Sequence, residues 1–130
     1  MISIPMTIIY NKNKPEVVIK LKKGDEITVR LADDFRAGAS IDEVTVYNNI
    51  VRGGRDRPSK KALGTWQRRR GGGVGLLGTF YSVESLSANE VKITDIEDEP
   101  ESDKHWLGFA GKAKGKPWSV DPELINRPGG

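Results

Sequence analysis

The chain has 130 residues, with 21 Lys and Arg against 18 Asp and Glu, one His and no Cys. Without cysteine there is no thiol nucleophile, disulfide, zinc finger or iron–sulfur cluster, and His105 alone is too little for a multi-histidine metal site. The net charge of +3 is mild and does not by itself imply a polyanionic partner.

Met1–Tyr10 is apolar but lacks a basic leading region and a small-residue cleavage site, so it reads as part of the folded chain rather than a leader. Met6–Tyr10 is the first predicted strand. Val17, Ile19 and Leu21 recur at every second residue, as do Ile27, Val29 and Leu31. With Lys22-Lys23-Gly24-Asp25 between them, these runs predict a β-hairpin with one buried face.

Asp33–Ser40 is a loop. Ser40-Ile41-Asp42-Glu43 matches a helix capping box. The following Val44-Thr45-Val46-Tyr47 is rich in β-branched residues, so a strand is predicted there instead.

Arg52–Gly73 differs in kind. It holds six arginines and two lysines against one aspartate, a net of +7, and six glycines. It reads as long loops around a short apolar element at Ala62–Trp66. Leu63-Gly64-Thr65-Trp66 recurs as Leu77-Gly78-Thr79-Phe80, which suggests the two sides of one long hairpin.

Tyr81 and Val83, then Val91 and Ile93, alternate with polar residues across a turn at Ser87-Ala88-Asn89-Glu90. Seven acids and one Lys follow between Glu90 and Asp103. His105–Phe109 is the last predicted strand. Beyond it the chain is rich in Gly, Lys and Pro, with a helical turn suggested at Asp121-Pro122-Glu123.

Short strands at frequent intervals imply an all-β, mainly antiparallel fold: a small β-sandwich or β-barrel over residues 1–109 with long basic Gly-rich loops. Residues 110–130 are expected to form an extended C-terminal tail. No apolar run approaches the roughly 18 residues of a spanning helix. A soluble protein with no membrane partner is expected, and the absence of Cys fits the cytoplasm.

Clustered Lys and Arg bind phosphate backbones by releasing condensed counterions. The candidate nucleic-acid contacts are Arg52, Arg55, Arg57, Lys60, Lys61, Arg68, Arg69 and Arg70, with Trp66 as a base-stacking platform. Lys112, Lys114 and Lys116 extend the track. Such loops favour single strands over duplex and read little sequence.

Two alternatives stand beside this reading. In one, the basic stretch 52–70 meets the acidic stretch 90–103 of a second copy, giving a self-assembling structural protein. In the other, Trp66 or Trp118 stacks on sugar rings, as in carbohydrate-binding sandwiches.

No catalytic constellation is recognisable, so no enzyme activity and no cofactor or metal is expected. Gly73-Val74-Gly75-Leu76-Leu77-Gly78 spells a dinucleotide fingerprint, but it is followed by β-prone Thr79-Phe80-Tyr81 rather than a helix. Asp33, Asp34, Asp42 and Glu43 cluster at strand ends without a calcium-loop spacing and read as solvated acids. His105 lies in a strand-like run without an evident orienting partner.

Overall fold

The computed structural model describes residues 2–8, 17–33, 35, 38–50, 59–68, 73–97 and 104–128. Among these the chain runs β1 (Ser3–Ile8), β2 (Val17–Leu21), β3 (Glu26–Leu31), β4 (Ser40–Ile50), β5 (Ser59–Gln67), β6 (Val74–Leu77), β7 (Tyr81–Ser87), β8 (Glu90–Asp95), β9 (His105–Ala113) and β10 (Lys116–Pro128), with no helix. The strands form two five-stranded sheets, ordered β1-β3-β8-β7-β6 and β2-β10-β9-β4-β5. The fold is therefore all-β and sandwich-like. Antiparallel pairs dominate, and the two parallel pairs are β1 with β3 and β2 with β10.

Period-two patterning buries one face of each sheet against the other. Ile27, Val29, Tyr81, Val83, Val91 and Ile93 of the first sheet meet Leu21, Val44, Val46, Leu107 and Phe109 of the second, all at most 2% exposed. Each such aliphatic side chain contributes about 1.5–3 kcal/mol by leaving water. In β4 the apolar spacing lengthens from Ile41 to Val44. A bulge between Ile41 and Glu43 absorbs the extra residue and keeps both side chains on the core face.

Two expectations about pairing are corrected. β2 and β3 do not form a hairpin. They belong to different sheets, and Lys22–Asp25 is a crossover between them. Alternation marks a strand and its buried face, but it does not say which strand lies alongside. The repeated Leu-Gly-Thr segments also form no hairpin: β5 pairs with β4, and β6 with β7. They meet instead where the chain changes sheets. A Cβ on Gly64 would lie 2.6 Å from the backbone N of Gly78.

The expected C-terminal tail is also corrected. Ala110–Ala113 completes β9, and β10 runs through the interior of the second sheet between β2 and β9. The helical turn suggested at 121–123 is the irregular stretch of β10 between Val120 and Leu124, where the register with β9 shifts. Lys114 (φ 51°) and Gly115 (φ 74°) close the β9–β10 hairpin with the two positive φ angles of a tight two-residue turn.

A buried polar chain links the sheets. The Leu21 N–H donates to Asn126 Oδ1 at 2.9 Å, which turns the amide nitrogen of Asn126 toward Tyr81. That Nδ2 donates to the Tyr81 hydroxyl at 2.9 Å, and the hydroxyl shares a 2.8 Å hydrogen bond with His105 Nδ1. Tyr81 belongs to the first sheet; Leu21, Asn126 and His105 belong to the second. His105 is fully buried.

Asp25 ties down the crossover. Its Oδ2 accepts from the Lys22 N–H at 2.9 Å and its Oδ1 from the Ile2 N–H at 2.8 Å. These bonds, Lys22 first, hold the carboxyl below its ordinary range by favouring the ionised form.

A depressed carboxylate stabilises the fold above its unfolded pKa, and that stabilisation is lost as pH falls through the lower folded value. Asp25→Asn is therefore expected to lower the urea midpoint at neutral pH. The deficit against the native chain should shrink below about pH 4, where carboxylates begin to protonate; a deficit constant with pH would contradict the carboxylate's role. Gly64→Ala forces backbone apart at the sheet change and is expected to cost about 1–3 kcal/mol, measured by the same denaturation.

Candidate functional site

The basic stretch 52–70 is not one patch. Lys60, Lys61 and Trp66 lie on β5. Its nine residues carry the chain about 26 Å along the edge of the second sheet at ~3.3 Å per residue. The Ser59 end pairs with Ile50, and the Gln67 end pairs with Glu43. Arg52, Arg55 and Arg57 precede the first end, Arg69 and Arg70 follow the second, and all five lie outside the described residues.

The pairings of β4 fix which strands share each end of the sheet. Asn48 of β4 pairs with both Lys61 and His105, so β9 begins at the Ser59 end. β5 and β9 therefore begin at the same end of the sheet. Of the acidic stretch 90–103, residues 98–103 lie outside the described residues.

At the opposite end, Lys112 pairs with Ser40 at the start of β4, two residues before Asp42, whose carbonyl accepts from the Arg68 N–H at 2.8 Å. The β9–β10 hairpin and the exit of β5 thus share one end of the sheet. Two strand spacings, about 10 Å, separate them laterally.

Arg68 bridges the sheets. Its Nε donates to the Ile41 carbonyl at 2.9 Å and lies 3.8 Å from Asp42 Oδ1, both in β4. Nη1 donates to Ser85 Oγ in β7. Nη2 donates to the Ser87 and Ala88 carbonyls at 3.0 and 3.2 Å. The guanidinium also stands over the Trp66 ring, 5.6 Å from its centroid. A group expected to grip phosphate thus has all three nitrogens engaged within the sandwich.

Trp66 departs from expectation as well. It is only 7% exposed and belongs to the core cluster, so its face is covered rather than offered to a base or sugar. Trp118, 9% exposed, packs edge-on against Phe35 at 5.2 Å and donates from Nε1 to the Ser40 carbonyl at 3.0 Å. The sugar reading loses both of its platforms.

Lys112, Lys114 and Lys116 are exposed, with no acidic partner among the described residues. Of the strand-end acids, Asp42 faces Arg68, Glu43 accepts from Thr45 Oγ1 at 3.4 Å, Asp33 is exposed, and Asp34 lies outside the described residues. No group of three or more metal-ligating side chains occurs among the described residues.

Two hollows complete the surface. A cleft of about 250 Å³ lies between the edges of β5 and β6, from Thr65–Gln67 to Gly73–Leu76. It is floored where Trp66 lies over Gly75, 2.8 Å from where a Cβ would stand. A shallower hollow of about 170 Å³ lies around Gly108 and Ala110, between Glu43, Tyr47 and Ser119.

Sequence reasoning missed the structural work of Arg68, which in the sequence is the first of three consecutive arginines and carries no mark that sets it apart. It also missed the Tyr81–His105–Asn126 chain, which joins residues 24 and 45 positions apart. No protein-family profile and no curated protein matches this sequence.

Arg68→Ala removes hydrogen bonds to both sheets and is expected to cost about 2 kcal/mol in urea denaturation. Arg68→Lys should recover only part of this, because one ammonium cannot span the same acceptors.

Proposed function

We propose that this protein is a non-enzymatic binding protein that contacts nucleic-acid phosphates at the hairpin end of the second sheet. The observation that carries this reading is the set of exposed lysines 112, 114 and 116, gathered on a two-residue β-hairpin without acidic partners among the described residues.

A tight hairpin presents these ammonium groups from an ordered backbone, so little main-chain entropy is lost on binding. Lysine is a compact charge without the planar fork of arginine, and it reads phosphate rather than base edges. Binding is therefore largely independent of sequence. In this reading Arg68 holds the scaffold and does not touch the ligand.

Fluorescence anisotropy with a labelled single-stranded oligonucleotide across a salt series tests the proposal. Three phosphate contacts give a log K against log salt slope of about −2. Alanine at Lys112, Lys114 and Lys116 together should weaken binding and bring the slope close to zero. An unchanged slope in that variant, or no binding by the native chain at about 50 mM salt, overturns the reading.

A further inference from the structure

Among the described residues the sandwich has four open sheet edges: β1 and β6 on the first sheet, β2 and β5 on the second. Exposed edges invite strand addition, and proteins blunt them with proline or charge. Three are blunted here. β1 carries Pro5, β2 carries Lys20, and β5 carries Lys60 and Lys61. β6 carries neither proline nor charge.

The pairing of β6 with β7 shows which of its backbone groups face outward. Val74, Gly75, Leu76 and Leu77 lie opposite Glu84, Val83, Ser82 and Tyr81. The Ser85 N–H donates to the Gly73 carbonyl, which places Gly73 at a hydrogen-bonded position of the ladder. Alternation then gives Gly75 and Leu77 the bonds to β7 and turns the N–H and C=O of Val74 and Leu76 to the open side.

The side chains of these two residues are the most exposed large hydrophobics among the described residues, at 66% and 68%. Elsewhere the first sheet carries the charged group Glu26, Lys92 and Glu84, with Lys92 Nζ 3.9 Å from each carboxylate. The most exposed apolar side chains of the sheet lie on this edge, with the less exposed Leu86 on neighbouring β7.

We propose that β6 is a dimerisation edge whose occupant is β6 of a second copy, paired antiparallel about a two-fold axis at Gly75. A two-fold contact sets the same surface against itself, so any charge on it would face a like charge. The sequence carries no charged residue from Gly71 to Val83, and this neutral run spans the whole edge. With Gly75 on the axis, Val74 lies opposite Leu76 of the second copy, and the four outward-facing residues exchange their N–H···O bonds. The two first sheets join into one, and the cleft between β5 and β6 lies along the seam. This contact is independent of the lysine hairpin and uses no ion pair, unlike a head-to-tail association of basic and acidic stretches.

Sedimentation equilibrium of the full chain, at low and high salt, measures the contact. The expected result is a concentration-dependent dimer of twice 14.3 kDa that persists at high salt. The variant Val74→Lys with Leu76→Lys sets lysine against lysine at both cross-axis pairs, and Val74→Glu with Leu76→Glu does the same with carboxylates. Each should be monomeric, with native circular dichroism, because neither residue is in the core. Mixing the two should restore the dimer as a heterodimer. A native chain that stays monomeric, a dimer that dissolves at high salt or survives both variants, or a mixture that stays monomeric overturns the proposal.

Discussion

Apolar contact presses two sheets together but is non-directional, so it does not decide how they align. In this sandwich the alignment rests on the buried hydrogen-bond chain from Leu21 through Asn126 and Tyr81 to His105. A buried polar group without a partner costs about 1–3 kcal/mol, so a slip of one sheet over the other would leave several such costs together. Arg68 plays the corresponding part at the far end, bonding β4 of one sheet and β7 of the other. His105 and Gly111 of β9, which mark these two ends, are about 20 Å apart along the strand. Two polar fasteners at opposite ends leave the middle of the sandwich to aliphatic packing.

The fasteners set the limits on function. Arg68 opens the most basic tripeptide of the chain, yet its donors are taken by the scaffold. Trp66, its neighbour, is covered by the same contacts. Among the described residues, Arg68 and Trp66, both suited by type to nucleic acid, are thus ones the fold uses for itself. Three lysines remain on the hairpin at the same end, standing clear of the sandwich. β5 and β9 both begin at the other end, so the hairpin lies a strand length away from the point where the chain enters them.

The open side at β5 and β6 follows from the chain's route. The polypeptide leaves the second sheet after β5 and joins the first at β6, so the edges of both sheets come to the same side. Gly64 and Gly78, from the two Leu-Gly-Thr copies, allow the backbones to approach there, and Gly75 admits the Trp66 ring. Small residues needed for this close passage also leave β6 short, neutral and unguarded. The geometry that closes the core thereby creates an edge whose outward backbone groups have no strand partner among the described residues.

The alternation of Ile27, Val29 and Leu31, and of Tyr81, Val83, Val91 and Ile93, was enough to establish an all-β fold with one buried face per sheet. The turn at Ala88-Asn89 and its hairpin were equally legible, because a short turn between neighbouring strands is encoded locally. Pairing beyond neighbours was not. The Val17–Leu21 and Glu26–Leu31 runs look like a hairpin but lie in opposite sheets. The chain beyond Phe109 reads as a polar tail, yet it forms an interior strand with parallel β2 at its side. The same limit applies to the candidate site. Sequence determined where positive charge is concentrated along the chain, since charge belongs to each residue. Only the tertiary structure decided that Arg68 and Trp66 are internal, that β5 splits the basic stretch, and that Lys112, Lys114 and Lys116 share an end with Arg68. Those outcomes depend on which distant strands come to lie side by side. That is a property of the whole buried core and its few directional bonds, not of any local run of residues.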